Sequence, residues 1–283
     1  MQSIEVVSNK GSKHFDLEQA LSLNYLSNYQ KLLEKHQLKI EALTMHRDSQ
    51  LIMGPHGDAT QRFFKGTPDE QVEYGKQRLM KAAEVANEYG IPKITGFMGA
   101  GEFSSWYPWP HSEGWKQQQN LAYERWMPIL EYYEKLGVKF AHEVGPQQLA
   151  YNLETTQEIL EILNIDSFGI CFDPSNFILT GVNPCIFVEE IGSKIFHVHG
   201  KDSELTHHVS SSGWMAHGDL SRPDRGFRFR IPGWGDVNWK KVLTTLKLNG
   251  YNDVISIEIE DPTMDSEEAL EKTIDHLKPL LFK

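Results

Sequence analysis

Two cysteines in 283 residues, Cys171 and Cys185, are too few and too far apart to make a disulfide framework or a zinc knuckle, so both read as free thiols. No apolar run approaches the ~18 residues that a membrane-spanning helix needs. The opening MQSIEVVSNKGSK has neither the basic start nor the apolar stretch of a secretory signal. The expected location is therefore cytoplasmic, with no membrane partner. Positive charge is also scarce: 28 Lys and Arg stand against 39 Asp and Glu, a formal net charge of -11, which argues against nucleic acid as a partner. The first strand-like run, IEVV, is not followed by a glycine-rich phosphate fingerprint, so the dinucleotide-binding signature is missing as well.

What is present is ample core material, 40% hydrophobic with 24% charged residues, enough for one domain spanning residues 1–283. Apolar, β-branched runs predict strands at Ile4–Val7, Leu38–Thr44, Lys93–Phe97, Val138–Glu143, Phe168–Asp173, Ile195–His199 and Val254–Glu260. Between them, apolar spacing of three and four predicts helices at Leu17–Leu33, Pro68–Tyr89, Gln117–Leu136, Leu153–Leu163, Pro184–Ile191, Trp239–Leu248 and Ser266–Leu281. Thr67-Pro68 and Asn183-Pro184 read as an N-cap followed by proline in the first turn, and Gly90, Gly137 and Gly250 as glycines that end helices. Strict β then α alternation implies a mostly parallel sheet with helices around it. Candidate ligands on several strand ends favour closure into an α/β TIM (β/α)8-type barrel. About seven strands are visible and the chain opens directly on QSIEVV, so the expectation is a barrel lacking its first βα unit. Such a gap exposes two strand edges, which invites a second copy and a homo-oligomer.

Four of the runs end in a carboxylate or an imidazole: Glu143 in KFAHEVGP, Asp173 in FGICFDPSNF, His199 in KIFHVHGKD and Glu258 in VISIEIEDP. Parallel strand ends converge in a barrel, and three carboxylates with one imidazole suit one divalent ion such as Mn²⁺, Mg²⁺, Co²⁺ or Zn²⁺. Residues two apart on a strand share a face, so register cannot choose between His197 and His199, or between Glu258 and Glu260. His46 and His56 either line the mouth or satisfy loop carbonyls. Arg228 and Arg230 in FRFRIPG either grip a substrate phosphate or carboxylate or form salt bridges across the rim. Lys201 either pairs locally or reaches substrate, and Asp202 reads as a local cap or pair. Two long segments, Gly99–Trp115 and Lys201–Trp234, are aromatic-rich and lie on the loop side, where such loops cover a site.

FDPSNF, HVHGKD, IPGWGDVNW and GYNDVISIEIEDP, in that order, resemble the motifs of the sugar phosphate isomerase/epimerase group of the xylose isomerase-like TIM-barrel superfamily. The resemblance covers Ile4 to Pro262. It implies a metal site of Glu143, Asp173, His199 and Glu258, which selects His199 over His197 and Glu258 over Glu260. It also implies a small carbohydrate substrate, with Glu143 and Glu258 as acid and base on either face of a carbon beside a carbonyl. The reaction implied is isomerisation or epimerisation through an enediolate, with an inosose-type dehydration or a non-catalytic sugar-binding role as the alternatives. Asn176 stands three residues after Asp173, where relatives often carry histidine. That departure weakens a trinuclear zinc nuclease reading and leaves Asn176 as a substrate contact.

Overall fold

The computed structural model describes residues 3–101, 112–206, 213–214 and 217–282. The chain divides into two compact units, Met1–Cys171 and Phe172–Lys283.

The first unit carries β1 (Ser3–Val7), β2 (Lys39–Thr44), β3 (Lys93–Gly96), β4 (Lys139–Glu143) and β5 (Phe168–Phe172) in sequential parallel order. Each crossover is helical, with long helices at Leu23–His36, Pro68–Tyr89 and Ser112–Lys135. The Pro68–Tyr89 helix begins as its sequence dictates. Thr67 accepts the Glu70 N–H, Glu70 reaches back to the Thr67 N–H at 2.8 Å, and proline fills the first position. It ends at Gly90, whose φ of 66° lets the chain turn under the last carbonyls. Trp126, Tyr133, Phe140 and Phe168 are fully buried between helices and strands. Trp126 lies on Phe140 at 4.7 Å between ring centroids, and each such ring contributes roughly 1.5–3 kcal/mol by leaving water. Glycine is required at Gly96, because a Cβ there would press on the Ser49 hydroxyl and the Phe140 ring.

The second unit carries β6 (Ile195–Gly200), an antiparallel ribbon of β7 (Asp202–Leu205) and β8 (Phe227–Arg230), and β9 (Ile255–Ile257). β6 and β9 run parallel, with His199 opposite Ser256. Helices at Pro174–Thr180, Pro184–Ile191, Trp239–Leu248 and Ser266–Leu277 connect them. Asn183 caps its helix as expected, accepting the Cys185 and Ile186 N–H groups.

Most predicted elements stand with small shifts, but the helix expected from Leu17 begins only at Leu23, the one expected from Gln117 begins already at Ser112, and the strand expected at Val254–Glu260 shortens to Ile255–Ile257. Phe15, Leu17 and Ala20 are buried by a turn instead, held by Asp16, which accepts from the Glu18 N–H and the Gln19 amide. Cys171 is buried, Cys185 is half-buried, and both are free. Among the described residues no helix is long and apolar enough to cross a membrane. Much of the aromatic segment Gly99–Trp115, and residues 207–212 and 215–216 of the second long segment, lie outside the described residues.

Candidate metal and sugar site

In the second unit, three strand-end residues come together around a lysine. Asp173 caps the helix Pro174–Thr180: its Oδ1 accepts the Ser175 N–H at 2.9 Å, and its Oδ2 meets Lys201 Nζ at 3.1 Å. Glu258, just past β9, places Oε2 at 2.9 Å from the same Nζ and at 3.1 Å from His199 Nδ1. Glu260 stands at 3.2 Å from the ammonium. Lys201 is 3% exposed, and its Nζ lies 4.7 Å from the centre of the Phe229 ring. One cation thus faces three carboxylates. Asp173 is fully buried while Glu258 and Glu260 are partly exposed, and gathering acids around a buried carboxylate is costly unless further positive charge is bound.

Asp173, His199 and Glu258 each present one donor atom, and these atoms lie within 4.8 Å of one another. That is close to twice a metal–ligand bond of about 2.1 Å. Oxygen, nitrogen and oxygen donors suit a borderline or hard divalent ion, so the residues fit the expected group. Geometry also separates the pairs that register left open: His197 Nε2 lies 2.9 Å from the Ser256 hydroxyl, whereas His199 faces Glu258. The Glu260 side chain is more exposed than that of Glu258, at 47% against 34%.

The fourth predicted ligand, Glu143, ends β4 in the first unit and is buried there. Its Oε2 is 2.7 Å from His46 Nε2, and the His46 ring stands edge-on to Phe97 at 4.5 Å. His46 thus holds the glutamate that sequence placed at a strand mouth. His56 is otherwise engaged, with Nε2 at 2.7 Å from the Leu51 carbonyl. Asn176 is buried in the first turns after Asp173.

Both rim arginines are drawn into ion pairs. Arg230 donates to Asp261 at 2.8 Å and to Glu204 at 3.1 Å, while Arg228 lies 3.5 Å from Glu204 and donates to the Arg222 carbonyl. Asp261 is pushed up by burial, but the Thr263 hydroxyl and N–H and the Arg230 guanidinium outweigh that and hold it below the usual carboxylate range.

Asp202, beside Lys201, has a different task. It is fully buried and accepts the N–H groups of Ser203, Gly233 and Val237 and the Trp239 indole, at 2.8 to 3.1 Å. A Cβ at Gly235 would press on this carboxylate, which explains the glycine in IPGWGDVNW. Burial raises its pKa, partly offset by those hydrogen bonds. Sequence reading assigned Asp202 a local cap or pair; it turns out to anchor the whole motif.

Comparison with known proteins gives the family and the fold. A family model described as a xylose isomerase-like TIM barrel matches residues 1–280. A protein of Bacillus subtilis, YfiH, is 29% identical over 75% of this chain and 74% of its own. The inosose isomerase of Bacillus subtilis is 32% identical over 49% of this chain and 47% of its own, and the inosose dehydratase of Lacticaseibacillus casei 26% identical over 49% of each. The chain thus spans about half the length of those two named enzymes. Among solved structures, a zinc-bound IolI protein is similar with a TM-score of 0.68 at 20% identity, over 99% of this chain and 88% of that one. A D-psicose 3-epimerase crystallised with D-fructose scores 0.65 at 14% identity, over 98% and 87%. At such identities the likeness is one of fold.

Proposed function

Since the chain belongs to the xylose isomerase-like TIM-barrel family, we propose that it is a divalent-metal-dependent isomerase or epimerase of a small sugar, keto-sugar or sugar phosphate. The observation that carries the reading is the close approach of Asp173, His199 and Glu258 around Lys201. Asp173, His199 and Glu258 would hold the ion, with Glu143 as fourth ligand. The ion's contribution is Lewis acidity, which acidifies a C–H bond next to a carbonyl.

The chain's own groups would do the rest. Glu143 and Glu258 remove and return the proton on opposite faces of the reacting carbon. His46, on Glu143, fixes the orientation of that carboxylate. Lys201 keeps Asp173 and Glu258 in place and offers its ammonium to substrate oxygens. Asn176 supplies an amide for a sugar hydroxyl. His56, Arg228 and Arg230 enter as rim contacts that would exchange a present protein partner for substrate.

The test is exchange of carbon-bound hydrogen in deuterated water against a panel of ketoses, for the wild type, Glu143→Gln and Glu258→Gln. Exchange by the wild type, lost in both variants, supports the two-glutamate mechanism. Near wild-type turnover by either variant removes it. A dehydration is the second reading, favoured by the relative named inosose dehydratase; a product lighter by one water would select it.

A further inference from the structure

A cavity of about 420 Å³ in the first unit has a different character. It is lined by Asn9, Lys10, Arg47, Asp48, Gln61, Arg62, Phe63, Phe64 and Lys65. Four of these are cations in a chain whose net charge is -11. Among the described residues, no carboxylate forms an ion pair with any of the four. The one acid in the wall, Asp48, is already answered: Arg78 Nε lies 3.0 Å from its Oδ2. Arg78 also pairs with Glu18, which Lys81 meets at 2.7 Å, so behind the wall two acids balance two bases. The four lining cations are the surplus.

Two of the four, Arg47 and Lys10, rest on aromatic rings. The Arg47 guanidinium lies 5.9 Å from the centre of the Phe63 ring, and the Arg47 backbone N–H donates to Asn9 Oδ1 at 3.2 Å. Lys10 Nζ lies 5.8 Å from the Phe64 ring and 5.5 Å from Tyr74, and those two rings stack at 4.3 Å. Cations fixed over aromatic faces lose less side-chain entropy when an anion arrives. The position is functional too: Asn9 and Lys10 follow β1, and Arg47 and Asp48 follow β2. Arg47 comes directly after His46, the residue on Glu143.

We propose that this cavity is a binding site for a small phosphate monoester. Guanidinium groups match phosphate oxygens two at a time, and lysines supply further point charge. A volume of a few hundred Å³ holds a phosphate with a short polyol and excludes a polymer. The site stands whatever reaction the strand ends perform. If it serves that reaction, the substrate is phosphorylated.

The experiment is titration of the purified protein with inorganic phosphate and with glycerol 3-phosphate against glycerol, by calorimetry. The variants are Arg62→Ala/Lys65→Ala, whose side chains are exposed, and Asp173→Ala, which would remove any phosphate held by a metal. The proposal expects both phosphates to bind and glycerol not to. It expects affinity to fall at least tenfold in the double variant and to persist in Asp173→Ala. Unchanged affinity in the double variant, loss in Asp173→Ala, or no phosphate binding by the wild type each overturns it. None of those results bears on the two-glutamate mechanism, which deuterium exchange tests alone.

Discussion

Each unit holds a partly buried charge cluster, and the two are built to different rules. In the first, Arg78 and Lys81 face Asp48 and Glu18, and Arg78 also donates to the Ser8 carbonyl at 2.9 Å. Charge balances, and the guanidinium's donors are shared among three partners. In the second, Lys201 faces Asp173, Glu258 and Glu260 with His199 alongside. Among the described residues of this cluster, carboxylates outnumber ammonium groups. A balanced buried network cross-links its own fold, whereas an unbalanced one demands a ligand of opposite sign. Balance of charge, more than burial, separates a structural cluster from a candidate site.

The contrast breaks most severely at the glutamates. Glu258→Gln and Glu143→Gln keep the shape and remove the proton carrier, so turnover falls by roughly 10²–10⁴-fold, read from deuterium exchange. Arg78→Met strikes the balanced cluster instead. It strands Asp48 without its guanidinium and costs about 3–5 kcal/mol of stability, measured by denaturant unfolding, while metal content stays at the wild-type level. A smaller effect follows from Lys201→Met, which removes the competing cation. Metal binding is retained or tightened, and KM rises about tenfold, the equivalent of roughly 1.4 kcal/mol. Equal loss of metal in Arg78→Met and Asp173→Ala would erase the distinction between the clusters.

The smallest effect concerns Asp202, a buried acid held by N–H donors with no cation. Its pKa is raised mainly by burial, so the folded state keeps a proton that the unfolded state has already lost. Stability therefore falls as pH rises from the ordinary aspartate pKa of about 3.9 through the higher folded value, then levels off. Asp202→Asn should remove that slope in unfolding curves collected across the acid range.

Much of this was legible beforehand, for identifiable reasons. Helices Pro68–Tyr89, Leu153–Leu163, Pro184–Ile191 and Trp239–Leu248 match expectation because caps and apolar period agree along them. Strand ends were legible because apolar runs stop sharply at Gly, Pro or charge. The start at Leu23 was not, since an Asp16 turn can bury Leu17 and Ala20 as well as a helix can. Within the site, period two made His197 and His199 equivalent, the motif resemblance favoured His199, and the fold sets His197 against Ser256 on another strand. For Arg228 and Arg230 the sequence left substrate grip and rim salt bridges both open, because Glu204 and Asp261 come from elsewhere in the chain. The cationic cavity was invisible, because Lys10, Arg47, Arg62 and Lys65 share no motif and meet only through folding.

The central claim, that the strand ends hold a divalent ion, is tested most directly by metal analysis of the purified protein beside Asp173→Ala and Glu258→Ala. The account predicts about one tightly held ion per chain in the wild type, lost in both variants while Arg78→Met retains it. A wild type without metal after supplementation with Mn²⁺, Mg²⁺, Co²⁺ or Zn²⁺ would contradict it.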